Sequence, residues 1–159
     1  MPARERLDDI AGWICEAILP IRDEYFVGGG KSVAVCTLSS MDLLERISQM
    51  SSVMDRVAVV GRLLSENRGI DAIIKFAIDH PGLERILVCG KEVKGHLAGQ
   101  ALVSLAKNGI DHRGKIVGAL GPYPTLRSSP MEVAKFRERI TVIDRVGLLD
   151  AEKIAELVP

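Results

Sequence analysis

Short apolar runs alternate with longer stretches of helical period down this chain, and few folds accommodate that alternation. Ser32 to Leu38, Asp55 to Val60, Ile86 to Cys89, Lys115 to Leu120 and Ile140 to Val146 each suit a buried strand and are too short for a stable helix. Ser32 to Leu38 lacks apolar–polar alternation, as a strand covered on both faces does. Between the runs, Leu43, Leu44, Ile47 and Met50 recur at helical spacing. So do Ile70, Ile73, Ile74, Ala77 and Ile78, then Leu97, Ala98, Ala101, Leu102, Leu105 and Ala106, then Val133, Phe136 and Ile140. Pro81-Gly82 and Asn108-Gly109 stop two of these helices. Ser129-Pro130-Met131-Glu132 starts another, with a cap residue, a proline at the first helical position and a glutamate at the third. Asp150 caps a last short helix carrying Ile154 and Leu157. Such alternation predicts an α/β fold, a Rossmann-like three-layer sandwich around a mainly parallel sheet of about five strands.

Ahead of the first strand, Leu7, Ile10, Ala11, Ile14 and Ile18 line one face of an N-terminal helix within residues 1–19, and Pro20 ends it. Ile21 to Val27 reads as an extended lead-in and Gly28-Gly29-Gly30 as a turn. No internal repeat or linker divides the chain, so a single domain is expected over residues 1–159.

The 159 residues balance 21 basic against 21 acidic side chains, which argues against nucleic acid or an anionic membrane as partner. No apolar run approaches the roughly 20 residues of a spanning helix, so no membrane insertion by this chain is expected. The start, Met-Pro-Ala-Arg-Glu-Arg, runs into an amphipathic pattern containing acids and does not read as a signal peptide. Cys15, Cys36 and Cys89 are odd in number and far apart, which predicts buried thiols in a reducing cytoplasm. Met41, Met50 and Met54 read as gap-filling core.

No Gly-x-Gly-x-x-Gly follows the first strand, and neither a P-loop nor a Gly-x-Ser-x-Gly elbow occurs. His80 at a helix end and His112 in a turn read as solvent-facing. His96 differs. It falls where the loop after Cys89-Gly90 becomes a helix, with Gly99 and Gln100 expected on the same face and small residues leaving room beside it. A lone imidazole holds a bare ion poorly, yet serves as an axial ligand when a macrocycle supplies the other donors. Lys94-Gly95-His96-Leu97-Ala98-Gly99 carries the His-x-x-Gly half of the cobalamin loop Asp-x-His-x-x-Gly. Lysine stands where that loop has aspartate, which predicts either a weak, removable ligand or a lysine recruited for the cofactor's phosphate. Glu92 is the nearest carboxylate in sequence that could replace the aspartate.

Val88-Cys89-Gly90-Lys91-Glu92-Val93-Lys94-Gly95-His96-Leu97-Ala98-Gly99-Gln100 resembles the long motif of the A subunit of tetrahydromethanopterin S-methyltransferase. Tyr25-Phe26-Val27-Gly28, Val33 to Leu38, Ser65-Glu66-Asn67-Arg68-Gly69-Ile70, Asn108 to Asp111, and Gly121 with Pro124 extend the resemblance. The resemblance implies a Rossmann-like, cobamide-carrying subunit. Its corrinoid accepts a methyl group from a methyl-tetrahydropterin and passes it to a thiol such as coenzyme M. Methyl-donor and methyl-acceptor subunits are then its partners, with docking to a membrane complex as one arrangement. It also implies His96 as cobalt ligand, and corrinoid contacts from Thr37, Leu38, Glu66, Asn67, Gly90, Glu92, Lys94, Gly95, Gly99, Gln100, Gly121, Pro122, Tyr123 and Pro124. Where the family reads Ala-Ile-Pro-Tyr after the matching glycine, this chain reads Pro-Tyr-Pro-Thr. A stand-alone corrinoid protein with another donor and acceptor, a nucleotide-cofactor domain and a non-catalytic interaction module are the alternative readings.

Overall fold

The structure, a computed structural model, describes residues 25–159. The N-terminal helix expected within residues 1–19, and Cys15 with it, lie outside the described residues. Strands β1 (Tyr25–Val27), β2 (Val33–Cys36), β3 (Val59–Gly61), β4 (Arg85–Val88) and β5 (Thr141–Asp144) form one sheet in the order β1-β3-β2-β4-β5. β3, β2, β4 and β5 run parallel, and β1 closes the β3 edge antiparallel. The helices are α1 (Met41–Ser48), α2 (Ser51–Met54), α3 (Arg68–Asp79), α4 (Ala98–Asn108), α5 (Pro130–Arg139) and α6 (Ala151–Leu157).

β2 is buried along its whole length, which accounts for its unbroken apolar run. Its residues divide between two cores by the two-residue period of a strand. Ala34 and Cys36, with Ile86 and Val88 of β4, face a core filled from α3, α4 and α5 by Ile70, Ile74, Leu102, Leu105 and Phe136. Val35 and Leu87 face a second core with Leu44, Ile47, Val53 and Ile154 from α1, α2 and α6. Helices therefore cover both sides of the sheet. Met41, Met50 and Met54 pack half-buried against the second core, as the gap-filling reading has it.

Two element assignments change. Lys115 to Leu120 is not a strand. It makes only isolated bridges, Ile110 to Ile116 and Lys115 to Thr125, and Gly118 at φ +86° breaks the extended path. Only Ile116 of this run is buried; Val117 and Leu120 are exposed, so no second apolar side chain anchors the run in a sheet. The fifth strand is instead Tyr25–Val27, inside the segment expected as a lead-in. Further on, the strand expected from Asp55 begins only at Val59, because Val53 to Val57 form helical turns. The helix expected through Met50 ends at Ser48 and restarts at Ser51.

The caps are where the residues placed them. The Ser129 hydroxyl accepts from the Glu132 N–H while the Glu132 carboxylate accepts from the Ser129 N–H, with Pro130 at the first helical position. Asp150 accepts from the N–H groups of Lys153 and Glu152, which hold its carboxyl below the ordinary range.

Candidate functional site

Numbered among themselves, the four parallel strands run 2-1-3-4, which puts the reversal of winding between β2 and β4. Ligands of open α/β sheets sit beyond the carboxyl ends of the strands near such a reversal. Here the two loops at the reversal are stitched together. Ser39 donates through its N–H and its hydroxyl to the Lys91 carbonyl, and the Lys91 N–H donates to the Ser40 hydroxyl at 2.7 Å. Gly90 is buried against the Thr37 carbonyl, and Thr37 and Leu38 are fully buried. Thr37, Leu38 and Gly90 form the floor between these loops and expose no side chain to a ligand.

The open part lies to one side, where three loops meet. The β3–α3 loop brings Glu66, the β4–α4 loop brings His96, and the 117–124 loop brings Gly121 and Tyr123. His96 Nδ1 stands 2.9 Å from Glu66 Oε2. The Glu66 side chain is 1% exposed and the His96 side chain 48%. The other Glu66 oxygen accepts from the Tyr123 N–H at 3.0 Å. A carboxylate only accepts, so His96 donates through Nδ1–H, and in the neutral ring the lone pair is on Nε2. Nε2 has no partner among the described residues. Gly121 is required by contact: a Cβ there would collide with the His96 carbonyl oxygen.

The partner of the imidazole is thus Glu66, thirty positions away in sequence, and not Glu92. Glu92 serves the start of α4. Its oxygens accept from the N–H groups of Val93, Gly99 and Gln100 at 2.8–2.9 Å, where the helix dipole also favours an anion. The premise of the weak-ligand reading, that lysine leaves the imidazole without a carboxylate partner, fails with it. Lys94 and Gly95 stand exposed, and a buried anion strengthens the imidazole as a donor.

Two further expectations change. His96 lies in the turn before α4, with its N–H on the Val93 carbonyl, so it does not share a helix face with Gly99 and Gln100. Gly99 leaves no open space: a Cβ there would meet Leu38 at 2.8 Å and Glu92 at 3.0 Å. The small residue admits close packing of α4 on the loop after β2. The space beside the imidazole is at Gly95, where a Cβ would meet no atom within 4 Å.

Gln100 is a clamp. Its amide nitrogen donates to the Gly118 carbonyl at 2.8 Å and to Ser104 at 3.0 Å, and its oxygen accepts from the Leu120 N–H. Asn67 caps α3 by accepting from the Arg68 N–H. Pro122 and Tyr123 are exposed and Pro124 is buried. Leu38 and Leu97, at φ 52° and 50°, are the non-glycine residues in the left-handed region among the described residues, and both border the site. His80 and His112 are exposed and remote from it, His80 stacking on Phe76. Cys36 and Cys89 are free and buried. Among the described residues no cluster of three metal-ligating side chains occurs, and no helix is long and apolar enough to cross a membrane.

Fold and site together define an α/β domain that presents one carboxylate-braced imidazole among loops at the carboxyl end of a mainly parallel sheet. The family model for the A subunit of tetrahydromethanopterin S-methyltransferase matches residues 14–159. The chain belongs to that family, whose members are components of a methyltransferase. It is 37% identical over 147 residues to the A subunit of a methyltransferase named Mtx from Methanosarcina barkeri, covering 91% of this chain and 70% of the relative. The second of the A subunits of tetrahydromethanopterin S-methyltransferase in Methanothermobacter thermautotrophicus is 36% identical over 135 residues, 83% of this chain and 70% of the relative. The A subunit of the same enzyme from Methanocaldococcus jannaschii is 34% identical over 139 residues, 86% of this chain and 55% of the relative.

Proposed function

We propose that this chain is the corrinoid-carrying subunit of a methyltransferase, with His96 as the axial ligand to cobalt. The observation that carries the reading is the Glu66–His96 pair. The buried carboxylate favours the Nδ1–H tautomer of the neutral ring, which leaves Nε2 of a half-exposed side chain as the lone-pair donor. One nitrogen donor suits a metal whose equatorial ligands come from a macrocycle. The rim suits such a ring. Gly95 leaves open space, and Leu120 and Tyr123 are exposed apolar surfaces on the 117–124 loop. When bound, the corrinoid supplies a cobalt centre able to accept a methyl group and release it to a nucleophile. The chain's part is to hold the ring, aim one nitrogen, and keep the proton on Nδ1.

The fold reading that accompanies this is Rossmann-like, with α3, α4 and α5 on one side of the sheet and α1, α2 and α6 on the other. The relatives' names support a tetrahydropterin-linked methyl donor, a sulfur acceptor and further methyltransferase subunits as partners; to these we add coenzyme M as the thiol, separate donor and acceptor subunits, and the cytoplasm as location. A second reading rests on those names dividing between two methyltransferases: the chain could serve a different donor and acceptor pair with the same cofactor chemistry.

Titration of the purified protein with hydroxocobalamin, followed by visible absorbance, tests the reading. Saturable binding is expected, with a spectrum that shifts when His96→Ala removes the nitrogen. Absence of saturable binding, or identical spectra for the two proteins, overturns it.

A further inference from the structure

The chain as a whole is neutral, 21 basic side chains against 21 acidic, yet charge is uneven around the site. Residues 107–127 carry Lys107, Arg113, Lys115 and Arg127 against one acid, Asp111. The fold gathers three of these cations and adds Lys94 from the β4–α4 loop. The Leu126 N–H donates to the Gly114 carbonyl and Lys115 bridges to Thr125, which sets Arg113, Lys115 and Arg127 at the foot of the 117–124 loop. Lys94 stands just ahead of His96, whose carbonyl lies against Gly121 of the same loop. These cations are exposed, and none of them forms an ion pair among the described residues. The nearby acids already serve other donors. Asp111 accepts from the N–H groups of Arg113 and Lys115, Asp71 from those of Arg127 and Ser128, and Glu92 from the start of α4. Glu66 is taken by His96 and Tyr123. Val117 and Leu120, on the same loop, are 44% and 73% exposed.

We infer that this face docks an acidic surface of another methyltransferase subunit, taking the chain's proposed place in such an assembly as given and its cofactor as open. Exposed apolar side chains flanked by arginine and lysine have the make-up of a protein interface, with a centre that sheds water and a charged rim. A rim of one sign selects a partner of the other. It speeds encounter and penalises a like-charged surface. Nucleic acid and anionic lipid are also drawn to cations. Here the cations are few, the chain has no net charge, and apolar side chains stand on the loop beside them, which favours a protein surface. Docked there, the partner reaches the imidazole from the side of the 117–124 loop.

The test takes the chain purified in assembly with its fellow subunits and treats it with a carbodiimide, which joins a lysine amine to a carboxylate in contact with it. Mass spectrometry is expected to find Lys94 and Lys115 joined to aspartate or glutamate of a fellow subunit, with the yield falling several-fold at high salt. This step needs no corrinoid, so its result stands apart from the cofactor reading. The triple variant Arg113→Gln, Lys115→Gln, Arg127→Gln is expected to keep the circular dichroism of the unmodified protein and whatever hydroxocobalamin binding that protein shows. Its affinity for the fellow subunits is expected to fall about 10-fold at low salt and much less at high salt. Cross-links that are absent, stay within the chain or join only a second copy overturn the inference, as does an affinity unchanged in the folded triple variant. Loss of hydroxocobalamin binding in that variant assigns the cations to the cofactor and overturns it. Binding to phosphatidylglycerol vesicles that the triple substitution abolishes assigns the face to a membrane and overturns it too.

Discussion

Glu66 Oε2 and His96 Nδ1 meet at 2.9 Å, with the carboxylate buried and the imidazole half in solvent. The bond acts on the nitrogen it does not touch. By keeping the proton on Nδ1 it leaves Nε2 as a donor.

Glu66→Gln tests that relation with little change in volume. The new amide must still accept from the Tyr123 N–H, so its NH₂ end turns toward His96 Nδ1. Nδ1 then becomes the acceptor and the proton moves to Nε2. Nitrogen-15 NMR of the histidine ring is expected to show the tautomer reversed. Any axial nitrogen seen in the corrinoid spectrum of the unmodified protein should be lost. An unchanged tautomer sinks the argument.

Gly121→Ala and Gly95→Ala separate contact from backbone strain. The first drives a Cβ into the His96 carbonyl oxygen and must push the 117–124 loop away, at roughly 1–3 kcal/mol. The second meets no atom within 4 Å, but holds an alanine at φ +83°, at about 1–2 kcal/mol. Urea midpoints fall in both. The His96 ring signals should move only in the Gly121 variant.

Gln100→Leu removes the clamp on Gly118 and Leu120. The freed backbone groups are near solvent, so the expected loss of stability is small, about 1 kcal/mol. Local opening should rise much more. Chymotrypsin is expected to cut after the exposed Leu120 faster in the variant, as read by mass spectrometry, with the urea midpoint nearly unchanged.

The thiols of Cys36 and Cys89 give a pH dependence. Burial pushes both up to about 12 from an ordinary value near 9. Between those values the unfolded chain releases protons that the folded protein keeps. Stability is complete below pH 9 and falls as pH rises toward 12, by about 1.4 kcal/mol per pH unit per thiol. Urea midpoints measured from pH 8 upward should drop, and Cys36→Ala should flatten the slope. Neither thiol is expected to react with a thiol reagent at pH 8 before unfolding.

Much of this molecule was legible in its sequence. The caps at Ser129 and Asp150, the buried β2 run and the periodic helices follow from local chemistry, which needs few distant residues. What escaped depends on packing. Lys115 to Leu120 has the composition of a strand but lies beside no free sheet edge, since β1 and β5 occupy both edges. Tyr25–Val27 is three residues long and gains its register from β3, which no local pattern announces. His96 stood out because of the small residues near it, although Gly99 is small for another reason. Glu66 could be named as a loop residue, but its bond to His96 spans two different strand exits. A carboxylate just ahead of the Asn67 helix cap was the one available signal.

Glu66 leaves the sheet after β3 and His96 after β4, and β2 runs between those two strands. Two strand spacings, about 10 Å, separate the exits that supply one hydrogen bond. The pair is therefore a strain gauge laid across the sheet. A change in twist, or a shift of α3 against α4, bears directly on that bond, because its two ends ride on different strands.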